Sequence, residues 1–139
     1  MGPETIEEQL SETYGSFSDI LANWATVQPE MIAMRDDTAA ISWAEMVSRI
    51  ERLAARLQET GLKQGQSVAI LGTSCINYAL VFLAAVRAGG VAAPLTTSAS
   101  KDQLSGMAAD SGAQHLFIDA AKSAKLGDGF AKGLTHIAL

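Results

Sequence analysis

The chain has 139 residues, of which 48% are hydrophobic and 18% charged, and it carries a formal net charge of −5 at pH 7 and a single cysteine. This length and apolar content predict one folded domain with a sizeable core and argue against a disordered chain. The acidic balance argues against a surface for nucleic acid or anionic membranes, and one cysteine excludes an internal disulfide framework or a zinc site with several thiolates.

The sequence has no apolar run long enough to span a membrane. The most apolar stretch, Ala79 to Val86, is far shorter than the roughly 20 residues that a spanning helix needs. The first residues are acidic, whereas a secretory signal peptide would begin with basic residues. We therefore expect a cytoplasmic protein without a membrane span.

The N-terminal segment predicts a flexible region followed by a short helix. Residues 1–16 are polar and aperiodic, which is typical of a lead-in of low order, so the folded part is expected over residues 17–139. Apolar residues then recur at helical spacing after Ser18, the expected cap, and Pro29 helps to end this helix.

Two short apolar runs, 31–34 and 39–43, come next and predict a β-hairpin. They are separated by Asp36 and Asp37, residues that favour a tight turn. In such a turn both carboxylates are expected to be solvated, which argues against a paired acid–base site.

The clearest element is a long amphipathic helix that starts at Trp43. Ser42 and Glu45 have capping-box spacing, Glu45 and Arg49 form a favourable i,i+4 pair, and Gly61 supplies a left-handed stop. The apolar stripe consists of Trp43, Met46, Val47, Ile50, Leu53, Ala54 and Leu57.

The rest of the chain, a little over half of it, alternates between strands and helices. Residues 67–72 form an unbroken apolar run, typical of a strand buried on both faces of a parallel sheet. A helix over about 75–88, capped by Ser74, is apolar almost all round and is expected to be buried on more than one side. Further strands are predicted at 91–95, 115–118 and 134–139, and Leu104, Met107 and Ala108 indicate a helix between the first two of these strands.

This order predicts an α/β fold with a layered, mostly parallel sheet flanked by helices, preceded by the small hairpin. Gly89 and Gly90 let the backbone reverse out of the buried helix, and Pro94 belongs where the strand ladder ends. The loop 96–100 is then expected at the carboxyl edge of the sheet, where open α/β sheets bind ligands. A parallel sheet needs both faces covered, and the apolar end of the chain at Leu139 favours a truncated domain.

The candidate ligand sites each have a simpler structural interpretation. The segment 72–74 lies before a helix and offers amide groups to an anion, but helix capping is the favoured role. The glycine-rich segment 127–133 matches no phosphate-binding motif and is interpreted as a flexible loop. Cys75 is interpreted as a small core residue, and His115 and His136 share no ligand spacing. We assign no catalytic, cofactor-binding or metal-binding residue.

Two segments together resemble the opening of the adenylate-forming (AMP-binding) enzymes: acyl-CoA synthetases, luciferase-like ligases and adenylation domains of peptide synthetases. These segments are ISWAEMVSRIERLAARLQETGLKQGQSVAILG and NYALVFLAAVRAGGVAAPLTTSAS. The resemblance covers about residues 18–120. The residues that match its motifs are Ser42, Trp43, Glu45, Ala88, Gly89 and Pro94.

The sequence also departs from the family pattern. Ser74 stands where the family often has an asparagine, and serine caps a helix equally well. The glycine-, serine- and threonine-rich phosphate loop with its lysine, the tyrosine–glycine–threonine–glutamate motif, the ribose-binding aspartate and the catalytic lysine are absent up to Leu139. The matched residues are landmarks of the first subdomain and carry no catalytic side chain.

The resemblance implies an N-terminal fragment of an acyl-CoA synthetase. Such a parent enzyme activates a carboxylic acid, fatty or aromatic, with ATP and Mg²⁺ to an acyl adenylate and then forms a thioester with coenzyme A. We expect the fragment to be inactive, to bind none of these cofactors, and to form a homo-oligomer through its uncovered faces. The alternatives are a free-standing α/β interaction module and a small flavodoxin-like nucleotide binder without catalysis.

Overall fold

The computed structural model describes residues 5–11 and 16–139. The first element is helix α1, Ile6–Ser11, which lies in the region predicted as a flexible lead-in and was not predicted. A capping box starts it: the Glu8 amide donates to Thr5 Oγ1 over 3.2 Å, and the Thr5 amide donates to Glu8 Oε2 over 2.7 Å. The Thr–x–x–Glu spacing was the available sequence signal. The remainder of the predicted lead-in, 1–4 and 12–15, lies outside the described residues.

Helix α2, Phe17–Val27, follows and begins earlier than predicted. Its N-cap residue is Ser16, not Ser18, and the Ser16 side chain makes no capping hydrogen bond. The helix is held instead by packing: Trp24 stacks on Trp43 with ring centroids 5.6 Å apart and planes inclined by 17°. Tertiary contact therefore compensates for a weak cap.

The predicted hairpin is confirmed. Strands β1, Ile32–Arg35, and β2, Ala40–Ser42, pair antiparallel. At the turn, Asp36 Oδ1 accepts from the amides of Thr38 and Ala39 over 2.8 and 2.9 Å. Aspartate favours such turns because its short side chain accepts hydrogen bonds from backbone amides that follow it in the sequence.

The long amphipathic helix is also confirmed as α3, Trp43–Glu59. Ser42 Oγ accepts from the Glu45 amide over 3.2 Å, and Gly61 adopts φ +98° just after the helix. The buried stripe of α3 consists of Met46, Ile50, Ala54 and Leu57.

A four-stranded parallel sheet forms the centre of the molecule, with strand order β4-β3-β5-β6. Its strands are β3, Ser67–Leu71, β4, Val91–Pro94, β5, His115–Ile118, and β6, Thr135–Ala138. The helices that connect these strands are α4, Ile76–Arg87, α5, Lys101–Asp110, and α6, Ala120–Leu126. Pro94 is the last residue of β4, an edge strand, where its missing N–H is tolerated.

Each face of the sheet carries its own hydrophobic core, as the α/β prediction requires. On one face Val68, Ile70 and Phe117 pack with α3 and α4. On the other, Leu71 and Leu116 pack with α5, α6 and the segment before β6. The strand residues alternate between the two cores, which explains why β3 is an unbroken apolar run.

Two details of the helices differ from the sequence prediction. Helix α4 is capped by Cys75, whose Sγ accepts from the Tyr78 amide over 3.5 Å, and not by Ser74. Its apolar circumference is only partly buried, since Phe82 and Val86 are 38% and 43% exposed. Helix α6 was not predicted, because its sequence, AAKSAKL, carries few large apolar residues.

Candidate functional site

The topology places a crevice at the carboxyl edge of the sheet. The chain leaves β3 toward β4 on one side and then crosses back over β3 to reach β5 on the other. Open α/β sheets bind ligands at this reversal point, outside the ends of the two neighbouring strands. Thr73 follows β3, Asp119 follows β5, and the loop 96–100 follows β4.

The protein's own carboxylate occupies this crevice. Asp119 Oδ2 accepts from the Thr73 amide over 2.9 Å, and its Oδ1 accepts from the Lys122 amide over 2.7 Å, which caps α6. The crevice is also narrow: a Cβ on Gly72 would lie 2.7 Å from Leu139 Cδ1 and 3.1 Å from Asp119 Oδ2. A side chain at position 72 would therefore have to displace the end of the Leu139 side chain and crowd the Asp119 carboxylate.

The third loop at this edge is tied to the same network. Lys122 Nζ donates to the Thr97 carbonyl oxygen over 2.8 Å, which joins the loop after β4 to the start of α6. The loop then enters α5 through a capping box of Ser100 and Gln103. The loops after β3, β4 and β5 are thus linked through Asp119 and Lys122.

A second carboxylate, that of Asp36, lies at the N-terminus of α4. Asp36 Oδ2 accepts from the Ile76 amide over 3.0 Å, across a sequence separation of 40 residues. This amide, with those at the turn, favours the charged carboxylate and holds the pKa of Asp36 well below its usual range. Besides occupying the predicted turn, Asp36 joins the hairpin to α4, a contact that the sequence did not predict; Asp37 is exposed.

These two carboxylates determine what the carboxyl edge is able to bind. The segment 72–74 was expected to cap a helix or, less readily, to hold an anion, but the Thr73 amide already binds Asp119. A phosphate brought to this amide or to the start of α4 would meet Asp119 or Asp36 and be repelled. The Thr73 and Ile76 amides, each bound to a carboxylate, therefore do not fit a nucleotide phosphate. Within the described residues, no group of three or more His, Cys, Asp or Glu side chains is placed to hold a metal ion.

The histidines and the cysteine each have a separate hydrogen-bond partner. His115 is 3% exposed, and its Nε2 lies 3.0 Å from Thr60 Oγ1. Because that hydroxyl donates its proton to the Leu57 carbonyl oxygen, the ring nitrogen is the donor. His136 Nε2 lies 3.1 Å from the Ala131 carbonyl oxygen. Cys75 is half-buried and caps α4.

The glycine-rich segment 127–133 connects α6 to β6. It was interpreted as a flexible loop, but one of its side chains is an anchor, since Phe130 is only 1% exposed. Gly127 and Gly133 adopt φ +77° and +96°, and the Phe130 amide donates to the Gly127 carbonyl oxygen over 3.2 Å. The segment is therefore a turn that is packed against the core through Phe130.

Comparison with known proteins supplies a family. The sequence profile described as AMP-binding enzyme matches residues 21–137. Among curated proteins, the chain is 34% identical over 100 residues to a feruloyl-CoA synthase of an Amycolatopsis species, a match that covers 69% of this chain and 20% of that protein. It is also 28% identical over 110 residues to the D-alanine–D-alanyl carrier protein ligase of Bacillus licheniformis, with 79% of this chain and 22% of that protein covered.

The fold is also similar to those of solved structures. The N-terminal domain of FACL13 from Mycobacterium tuberculosis superposes with a TM-score of 0.77 at 23% identity, covering 88% of this chain and 33% of that one. The chain thus spans a third or less of each of these three proteins. None of the helices in the described part of the chain has the length and apolar character needed to cross a membrane.

Proposed function

Because this chain belongs to the family of AMP-binding, adenylate-forming enzymes, we propose that residues 17–139 form the N-terminal portion of the catalytic domain of an ATP-dependent acid–thiol ligase. The parent enzyme would activate a carboxylic acid as an acyl adenylate and then transfer the acyl group to the thiol of coenzyme A. The observation that carries this proposal is the profile match over 21–137. The similarity to a feruloyl-CoA synthase supports coenzyme A as acceptor. We place this enzyme in the cytoplasm.

The role of these residues in that enzyme would be architectural. Two backbone donors at the sheet edge, the Thr73 and Ile76 amides, are occupied by Asp119 and Asp36, and the groups that bind ATP, Mg²⁺ and coenzyme A would come from other parts of the parent. ATP would supply the phosphoryl leaving group that activates the acid. The described residues would support this site by fixing the loops at the carboxyl edge.

The 139-residue chain by itself is expected to show no ATP–pyrophosphate exchange above background with any acid in a panel of aliphatic and aromatic carboxylates. The reason is electrostatic: catalysis of this type depends on groups that stabilise phosphate charge, and the carboxyl edge presents carboxylates. The measurement is exchange of labelled pyrophosphate into ATP. A full-length adenylate-forming ligase in the same assay is the positive control, and exchange that copurifies with this chain would refute the proposal.

A second candidate is an adenylation domain that delivers its acyl group to a carrier protein. The similarity to a D-alanine–D-alanyl carrier protein ligase supports it. The two candidates share the adenylate and differ in the thiol acceptor, so the full-length parent, loaded with its acid, would release an acyl-CoA in one case and label a phosphopantetheinylated carrier in the other. A free-standing nucleotide-binding module would instead show a thermal shift of the 139-residue chain with ATP or a flavin.

We also infer that the chain self-associates through β6. This strand pairs only with β5 in the described sheet, so one side of its backbone is an unpaired edge. The Thr135 and Leu139 amides point toward β5. Because successive amides of a strand alternate between its two sides, the amides of His136 and Ala138 point outward, away from β5. Light scattering is expected to show a homodimer or larger assembly that Ala138→Pro weakens, because proline removes an outward donor. A clean monomer over a wide range of concentrations would contradict this inference.

A further inference from the structure

A buried histidine joins the start of β5 to the end of α3. His115, the first residue of β5, is 3% exposed. Phe117, two residues later, packs with α3 and α4, so the His115 side chain lies on that same face of the sheet. Its Nε2 lies 3.0 Å from Oγ1 of Thr60, the residue that directly follows α3. We call this contact the histidine latch.

The histidine latch ends on a backbone carbonyl in the last turn of α3. Thr60 Oγ1 donates to the Leu57 carbonyl oxygen over 3.0 Å, so the Thr60 hydroxyl accepts its other hydrogen bond from the His115 Nε2–H. The same carbonyl oxygen accepts from the Leu62 amide over 3.0 Å, a bond typical of a helix that ends at a left-handed glycine. The latch therefore ties the turn that ends α3 to the sheet, with the ring proton on Nε2.

The other ring nitrogen of His115 has no partner. Nδ1 is buried, and none of the described residues offers it a hydrogen bond. In the neutral ring with its proton on Nε2, Nδ1 is a bare acceptor, and leaving one acceptor unpaired is the smaller cost. A second proton would turn Nδ1 into a charged donor, which is far more costly to bury without a partner.

No charged side chain in the described part of the chain compensates for such a proton. The strand neighbours of His115 are Val68 and Thr135, which do not titrate, and His115 takes part in none of the ion pairs among the described residues. The charged residues at the nearby ends of α3, α4 and the segments before β3 and β6 are all exposed: Arg56, Glu59, Lys63, Arg87 and Lys132.

One effect would favour the charged ring, because the carbonyl end of a helix attracts cations. At α3 this attraction is weakened, since the Leu57 carbonyl oxygen already accepts two hydrogen bonds and the ring reaches it only through the Thr60 hydroxyl. The attraction is also smaller than the cost of desolvating an unpaired charge at a site that is 3% exposed. The unpaired Nδ1 therefore decides the sign.

We propose that the histidine latch is an acid-sensitive switch: a proton on His115 Nδ1 drives the ring out of its site and releases the end of α3 from β5. When the ring moves so that water reaches Nδ1, Nε2 leaves the Thr60 hydroxyl, and the bond from β5 to α3 is lost. The latch lies at the amino end of the parallel strands, away from the carboxyl edge. This proposal is therefore independent of the proposed ligase activity.

The test compares the wild type with His115→Gln, whose amide offers Thr60 a donor and does not titrate. Urea denaturation is carried out at about pH 7.5 and about pH 5.5, on either side of the value of about 6.5 at which a histidine of an unfolded chain binds its proton. When the folded protein excludes this proton, the unfolding equilibrium constant of the wild type rises about tenfold relative to that of the variant, so stability is lost as the pH falls. A relative rise below about threefold, or a relative fall, would overturn the proposal.

The chain has two histidines, and the other one supplies the matched control. His136→Gln, at an exposed site, is expected to keep the pH dependence of the wild type, and loss of that dependence would overturn the proposal in favour of His136.

A second measurement needs no variant. NMR of the histidine rings in the wild type is expected to place the proton of neutral His115 on Nε2. Between the same two pH values, the ring signals of His136 should shift while those of folded His115 stay in place. A neutral His115 ring with its proton on Nδ1, or His115 signals that shift together with those of His136, would contradict the switch.

Discussion

Replacing Gly90 with alanine is expected to lower the free energy of unfolding by about 2 to 3 kcal/mol, the upper part of the usual range for overpacking. A Cβ at this position would lie 2.9 Å from the Gln66 carbonyl oxygen and 3.1 Å from that of Ala85. Neither oxygen is able to retreat easily, because the first accepts from the Val91 amide and the second from the Gly90 amide itself. Urea denaturation followed by tryptophan fluorescence measures the change.

Two other glycines provide matched controls. Gly89 adopts φ +87°, but a Cβ there would have no neighbour closer than 3.8 Å, so Gly89→Ala should cost only the left-handed strain of about 1 kcal/mol. Gly106 lies within α5 with nothing inside 4 Å, and Gly106→Ala should stabilise by about 0.5 to 1 kcal/mol. A Gly90→Ala protein as stable as Gly89→Ala would show that the close backbone approach does not matter.

This glycine pair illustrates what the sequence was able to predict. The segment 89–95 was interpreted as a reversal followed by a strand of small residues, and the structure confirms it, with one glycine needed for its φ angle and the other for close approach. The apolar stripe of α3 and the unbroken apolar run of β3 were also predicted from the sequence. Each of these patterns is local, because the periodicity of a helix or the apolar run of a buried strand is visible within a few residues.

The contacts that the sequence did not reveal join segments far apart in the chain. Asp36 binds the Ile76 amide, and Asp119 binds the Thr73 amide. Local rules assigned the cap of α4 to Ser74, because serine is the better capping residue, but the hairpin brings a carboxylate to the same helix. A groove between α3 and α4 was missed for a similar reason, because its lining residues, among them Leu53 and Leu80, come from two separate helices.

The occupied carboxyl edge has a consequence for the family assignment. Ligands of open α/β sheets bind at the reversal of strand order, and here that position holds Asp119 and the side chain of Leu139. Membership in an AMP-binding family therefore assigns no nucleotide contact to the Thr73 amide, which binds Asp119. The described residues form the sheet and hold its loops in place. The proposed chemistry of the parent depends on groups outside these residues.

Replacing Asp36 with alanine is expected to lower the melting temperature by several degrees at neutral pH. The carboxylate binds both the turn of the hairpin and the first turn of α4, so its loss leaves the Ile76 amide without a partner and separates two elements at once. Asp36→Asn retains one acceptor oxygen and should fall between the alanine variant and the wild type. Asp37→Asn, at the exposed neighbouring site, is the matched control and should change little.

The same contact predicts a pH dependence of stability with a definite sign. Because the folded state holds the pKa of Asp36 below its usual range, the folded protein keeps this group charged where the unfolded chain begins to bind a proton. Its contribution is therefore complete above the unfolded pKa of about 4 and is lost as the pH falls below that value. Thermal unfolding monitored by circular dichroism should show the wild type and Asp36→Asn converging below about pH 4. A difference between them that stays constant throughout this acidic range would mean that the carboxylate charge does not hold the hairpin to α4.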